Sequence, residues 1–318
     1  MAALSDTLLV VAMLGYLVAM ICYAAVYAFG DRGAVARVAT RERELVGAGG
    51  PPVVIEEVKP AAQPPTRGAW AGRVAAAVLV LAGVAQIGSL VFRGVAADRL
   101  PWGNMYEYVL AATSVAAVAW VVVMVQRPAL RHLGLYVALT QVVLLGVAAL
   151  FLYVPVGPLV PALDSYWLAI HVTAVAISSG IFLIGFVPAA LFLIRSGYDK
   201  GRMSFPFSLG ERLPAAAVLE RLSFRLHAFA FPIWTFGALI AGPIWAESAW
   251  GRYWGWDPKE VWAFISWIVY AGYLHARATP SVKQTTATWI AVLGFLTMLM
   301  NLFGVNIFFT GLHSYGGL

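Results

Sequence analysis

Charge is what this sequence has least of. Only 11% of its 318 residues are Asp, Glu, Lys or Arg, against ~25% in an ordinary soluble domain. A soluble globule of this length needs polar side chains to cover its surface, so the shortage excludes a soluble enzyme. Cysteine is nearly missing too. Cys22 is alone and sits in an apolar run, which excludes an intrachain disulfide, a C-x-x-C-H heme-attachment site and a cysteine zinc framework. Lysine is scarce: four of 21 basic residues are Lys, and with the abundant Ala, Val and Gly this suggests a GC-rich bacterial genome. No internal repeat of useful length is visible, which argues against an inverted-repeat transporter.

What the chain has is apolar length. Hydrophobic residues make up 61%, and they recur in runs of eighteen or more. The reading is an all-α, polytopic integral membrane helix bundle. About eight transmembrane helices are expected, near 7–29, 70–92, 104–125, 133–153, 166–195, 224–246, 260–277 and 286–310. The first lacks a basic n-region and an A-x-A-like site, so it reads as a span and not as a cleaved signal peptide.

Basic residues set the direction. With the N-terminus outside, 17 of the 21 Lys and Arg fall on inner segments; only Arg93, Arg99, Arg252 and Lys259 fall outside. The positive-inside rule therefore puts both termini outside. The net charge of +6 is a property of these loops, so no nucleic-acid partner is expected. Residues 44–68, with Gly49-Gly50-Pro51-Pro52 and Pro64-Pro65, read as a flexible linker. Leu213 to Arg225 interleaves apolar residues with Arg, as an interfacial helix does.

The most informative stretch is an outer loop, 245–262. It holds Trp245, Trp250, Trp254, Trp256 and Trp262, five of the twelve Trp. Interfacial anchoring explains one or two indoles per helix end, but not five in eighteen residues with Gly251 and Gly255 between them. Indoles offer broad apolar faces and Gly permits close backbone approach, a combination suited to a large planar ligand. Asp257-Pro258-Lys259-Glu260 is also a good helix start: a cap, Pro at the first helical position and Glu three residues on. Asp257 is thus open to either reading. Asn104 and Glu107 share that spacing. A carboxylate one turn inside a membrane helix is expensive, so Glu107 is expected to face the protein interior.

Trp254-Gly-Trp256-Asp257-Pro258 with its flanking Trp resembles the "WWD" signature of heme-handling proteins in cytochrome c maturation. Four further segments extend the resemblance over roughly residues 100–318: Pro101-Trp-Gly-Asn-Met-Tyr-Glu107, Ser165-Tyr-Trp-Leu-Ala-Ile-His171-Val, Tyr270-Ala-Gly-Tyr-Leu-His275 and Gly311-Leu-His313-Ser-Tyr-Gly. Length and span number are most similar to the CcsA/ResC family of System II. The resemblance implies two regions: 1–69, an N-terminal span with a cytoplasmic linker, and 70–318, a heme-handling membrane domain.

It also implies a chemistry. Heme b, bound non-covalently, is the substrate. It moves to the outer face of the bacterial cytoplasmic membrane and is held there for thioether attachment to the CxxCH motif of apocytochrome c. The activity implied is a cytochrome c heme lyase or synthase. The alternative is a heme exporter or chaperone that delivers heme without ligating it. The implied iron ligands are His171 and His313 outside and His275 within the membrane. Catalysis would rest on His171, His313, Trp254, Trp256 and Asp257. Heme binding would add Trp245, Trp250, Trp262 and Arg252. Arg252 has two readings, a propionate partner or a lipid-headgroup contact. The implied partners are a ResB/Ccs1-like companion subunit, apocytochrome c, thiol-reducing proteins and membrane lipid.

Two histidines are left. His227 lies at a depth similar to His275 and reads as a packing residue; pairing with His275 is the other possibility. A quinol-type electron carrier would need that pair. His132 reads as an interfacial cation.

Overall fold

The computed structural model describes residues 1–29, 67–159 and 163–313. The expected linker up to residue 66 and the basic residues within it lie outside the described residues, as does the Ser314-Tyr-Gly end of the last motif.

Among the described residues all regular secondary structure is helical. The helices are α1 (Ala2–Phe29), α2 (Arg67–Ala97), α3 (Met105–Gln126), α4 (Gly134–Phe151), α5 (Tyr166–Asp199), α6 (Ala216–Phe236), α7 (Gly242–Trp250), α8 (Pro258–Ala278), α9 (Gln284–Leu299) and α10 (Val305–Phe308). A π-helical turn, Gly237–Ala241, joins α6 to α7. A second, Met300–Gly304, joins α9 to α10. Each junction therefore continues one helical rod.

Seven of these rods are long and apolar enough to cross a membrane: Ala2–Ala28, Trp70–Ala97, Met105–Gln126, Pro128–Phe151, Tyr166–Asp199, Ala216–Trp250 and Gln284–Phe308. The expected eighth, 260–277, is helix α8. It has 21 residues, enough at ~1.5 Å per residue for ~30 Å. Lys259, Glu260, His275 and Arg277 keep it below the apolarity of the others. It packs antiparallel to α9, with Tyr270 against Gly294. Leu213 to Arg225 is not a separate interfacial helix: from Ala216 it forms the first turns of α6, continuous with the span.

Several polar residues inside the bundle pair with one another, which lowers the cost of burying them. Ser5 Oγ donates to Ser89 O at 2.8 Å, tying α1 to α2. Tyr16 donates to Gln86 Oε1 at 2.7 Å, and Gln86 Nε2 donates to Thr113 Oγ1 at 2.8 Å. Aromatic stacking does the same for α5 and α8, where Phe182 lies parallel to Tyr270 with centroids 4.0 Å apart.

Contacts at the two ends fix which loops share a face. Tyr153 donates to Asp6, joining the loop after α4 to the first turns of α1. Arg93 Nε and Arg99 Nη1 each reach Glu107 at 2.8 Å. Glu107 is fully buried, and Asn104 caps α3 by accepting from the Glu107 amide. His313 meets Asp257. The start of α1 and segments 98–104, 152–159, 163–165, 251–257 and 309–313 therefore lie at one end. At the other end Arg212 donates to Tyr27 O, Arg195 to Leu213 O, and Arg277 pairs with Glu220.

Candidate functional site

A cavity opens between α3, α5, α7, α8 and α9 at the end that carries the Trp loop. It holds about 1530 Å³ of empty space, mouth included. His171, His313, Trp245, Trp250 and Trp254 all line it. These residues come from two helices and two loops separated by up to 142 positions in sequence, and the fold brings them to one hollow.

His171 is set by its helix. Ser165 caps α5 by accepting from the Trp167 amide, which places His171 at the sixth helical position, ~9 Å along the axis. Its Nδ1–H donates to Gly237 O at 2.8 Å. That carbonyl begins the π turn, where it also accepts the Gly242 amide. Pro243, which has no amide to donate, follows directly. Such π turns are frequent at functional sites. His171 stacks on Trp245, centroids 5.7 Å apart and planes 8° from parallel.

His313 is set by a carboxylate. Its Nδ1–H donates to Asp257 Oδ2 at 2.7 Å, while Asp257 Oδ1 accepts the Leu312 amide at 2.6 Å. Gly311 passes so close to Asp257 that a Cβ there would collide with Oδ1. Burial disfavours the Asp257 carboxylate, but the His313 bond and the Leu312 and Lys259 amides outweigh it and hold its pKa below the ordinary value of 3.8. The His313 ring lies 5.7 Å from Trp245 and 4.9 Å from Trp250. A carbonyl and an ionised carboxylate can only accept. In its neutral form each imidazole therefore carries its proton on Nδ1 and its lone pair on Nε2, the arrangement of a metal-binding histidine with an outer-shell partner.

Asp257 caps α8 in a complete capping box with Glu260, and its carboxylate also accepts from His313. Glu260 Oε2 accepts the amides of Gly255 and Asp257 at 2.8 and 3.0 Å. It thereby clamps both sides of Trp256, which is held at φ 56. A left-handed bulky residue costs of order 1–3 kcal/mol, and the clamp is what holds it there.

That conformation sets Trp256 apart from Trp254. The ring turns away from the cavity, is 65% exposed, and packs edge-on against Trp254 and Phe264. Trp262 lies further along α8 and does not line the cavity either. Arg252 is exposed, with its guanidinium folded against Gly255. Gly251 serves a turn: it ends α7 at φ 71, a conformation that suits Gly.

The other histidines separate clearly. His275 is exposed on α8, near the end opposite the Trp loop. His227 is fully buried among Phe182, Tyr270 and Tyr273, and its Nδ1–H donates to Ser223 O at 2.8 Å. The two do not face one another, so an in-chain His227/His275 pair finds no support. His132 packs its ring against Tyr27, with Nε2 buried, and does not reach out as an interfacial cation.

Three cavity features escaped the sequence reading. Tyr108 and Ser179 join at 2.7 Å on its wall. Asn301 and Leu302 of the second π turn line it. Lys259, counted above as an outer loop charge, faces it as well. No sequence signal marks a π turn or the direction of a first-turn lysine.

Fold and site together define a multi-pass helical membrane protein in which two imidazoles at one end of the bundle converge on a tryptophan-walled cavity. The family model described as Cytochrome C assembly protein matches residues 102–313, and the chain belongs to that family; its role is in cytochrome c biogenesis. Among its relatives, the cytochrome c biogenesis protein CcsA of Prochlorococcus marinus is 34% identical over 256 residues, 71% of this chain and 79% of that protein. That of Porphyra purpurea is 33% identical over 287 residues, 77% and 88% of the two chains. That of Guillardia theta is 41% identical over 175 residues, 51% of this chain and 58% of that protein. The solved structure of cytochrome c heme lyase CcmF superposes with a TM-score of 0.60 at 17% identity. It covers 95% of this chain, which spans 46% of that one, and the likeness is one of fold.

Proposed function

We propose that the cavity holds heme as a substrate on the outer side of a bacterial cytoplasmic membrane, and that thioether bonds to apocytochrome c form there. The observation that carries this is the pair His171 and His313. Both present Nε2 lone pairs, both have Nδ1 anchored, and both neighbour Trp245. Two such imidazoles give a six-coordinate iron. Trp245, Trp250 and Trp254 supply apolar walls to the ring.

The reaction needs no nucleophile from this chain. Each cysteine thiol of a CxxCH segment adds across one vinyl group. Sulfur bonds to the inner vinyl carbon and hydrogen to the terminal one, so the addition consumes no oxidant or reductant. The thiols must arrive reduced, which is the task of thiol-reducing partners. The protein contributes position, worth up to ~7–11 kcal/mol, and a defined ligand set that tunes the iron. The substrate's own His then displaces one protein imidazole.

His275, exposed on α8, is suited to a second heme whose other ligand comes from a ResB/Ccs1-like companion. Heme would then pass from the inner end along α8 to the cavity. The test is to co-express the chain, the companion and a CxxCH reporter in a host lacking its own maturation system. Covalent heme on the reporter is expected. Heme that purifies with the chain while the reporter stays unmodified would reduce the reading to delivery.

A further inference from the structure

The cavity contains a cation that the ligation chemistry does not use. Lys259 sits in the first turn of α8, inside the capping box, and its side chain runs into the cavity. Nζ donates to Asn301 O at 3.2 Å and touches Met105 Sδ at 3.8 Å. An ammonium has three donors, and these contacts engage it weakly: one neutral carbonyl and one thioether.

The nearby carboxylates are committed elsewhere. Asp257 spends its oxygens on His313, Leu312 and the Lys259 amide, and Glu260 on Gly255 and Asp257. Among the described residues Lys259 forms no ion pair. A cation turned into an apolar hollow is costly unless an anion meets it. The Asn301 carbonyl belongs to the π turn, and Asn301 Oδ1 beside it is buried without a partner.

The geometry points to Lys259 as the cavity's carboxylate anchor, taking a propionate of the porphyrin. This deepens the heme reading of the same cavity and rests on it. It also moves the propionate contact from Arg252, which is exposed and outside the cavity, to a residue on its wall. A lysine gives a point charge at one edge of the ring, so it fixes the in-plane rotation that the two axial imidazoles leave free. That rotation decides which vinyl meets which thiol.

The test titrates full-length chain in detergent with ferric protoporphyrin IX and, separately, with its dimethyl ester, which has no carboxylates. The Soret band reports binding. Wild type should prefer the free acid by about tenfold or more, equivalent to about 1.4 kcal/mol. Lys259→Met should erase that preference while leaving ester binding unchanged, which also shows that the variant is folded. Lys259→Arg should keep it. A wild-type preference surviving in Lys259→Met, or equal loss of both ligands in both variants, overturns the assignment. His171→Ala and His313→Ala separate the two readings. If they keep the wild-type low-spin spectrum, the heme site itself is wrong. If they lose it while Lys259→Met keeps the preference, only the anchor is wrong.

Discussion

His313 Nδ1 lies 2.7 Å from Asp257 Oδ2, and with the Leu312 amide on Oδ1 that bond ties the end of the last helix rod to the cap of α8. Asp257→Ala removes an outer-shell partner of a proposed ligand, which typically costs 10–100-fold in metal affinity, and a helix cap worth ~1 kcal/mol. Heme affinity should fall by one to two orders, and Asp257→Asn, which keeps an acceptor oxygen, should fall less. The pH dependence has a definite sign. A carboxylate held below 3.8 stabilises the fold above that value and loses its effect as pH falls through the folded pKa. The stability difference between wild type and Asp257→Ala should shrink as pH falls below about 4. Melting in detergent between about pH 3 and 5 checks it; a difference that keeps its full size at pH 3 would contradict the assignment.

The 17-to-4 division of basic residues predicts that the Trp loop lies on the outer face. In a Cys22→Ser background, Tyr253→Cys in the Trp loop should react with an impermeant thiol reagent on intact cells. Met203→Cys, in the segment after α5, should react only after lysis. Both side chains are exposed, at 62% and 63%. The opposite labelling pattern would invert the protein and put the cavity on the inner side.

The bundle was legible because hydropathy and the basic residues of loops are local quantities. Its exceptions are also physical. Helix α8 falls below the other rods in apolarity because its ends carry Lys259, Glu260, His275 and Arg277, yet it runs beside α9 all the same. The gathering of His171 and His313 was foreseen from a family resemblance; hydrophobic periodicity alone would not have paired residues so far apart. The direction of Trp256 was not legible because it depends on one backbone angle, φ 56, held by Glu260. The direction of Lys259 was not legible for a similar reason: composition counts a charge but does not aim it.

The histidines divide by what encloses them. His171→Ala and His313→Ala should each abolish cytochrome maturation, and added imidazole should restore part of it by refilling a coordination position. His132→Ala should leave maturation near wild type, because its ring packs against Tyr27 and does not line the cavity. Reporter heme staining, with and without imidazole, checks all three. Damage from His132→Ala equal to that of the other two would overturn the division.

Trp254 and Trp256 are neighbours with different surroundings. Trp254 lines the cavity; Trp256 points out of it. Heme occupancy should fall strongly in Trp254→Ala and partly in Trp254→Phe. Trp256→Ala should keep most of its heme, and Trp256→Gly should be no worse, since Gly accepts φ 56 without strain. Occupancy measured on purified protein decides the matter, and equal losses at both positions would mean that Trp256 reaches the ligand too.

Gly311 offers a way to disturb the site without touching a ligand. Beyond its collision with Oδ1, a methyl there would stand 3.1 Å from Pro258 Cδ and 3.2 Å from Asp257 Cγ, so the carboxylate must move. Its oxygens are the ones that accept from Leu312 and His313, and moving them frees the His313 ring to rotate. Gly311→Ala should therefore lower heme affinity by a factor similar to Asp257→Ala. Because both act through one hydrogen bond, the double variant should be little worse than either single one, a coupling that independent sites would not show. Heme titration of the wild type, both single variants and the double variant completes the cycle. Additive losses would place Gly311 outside the Asp257–His313 unit and leave His313 oriented by some other contact.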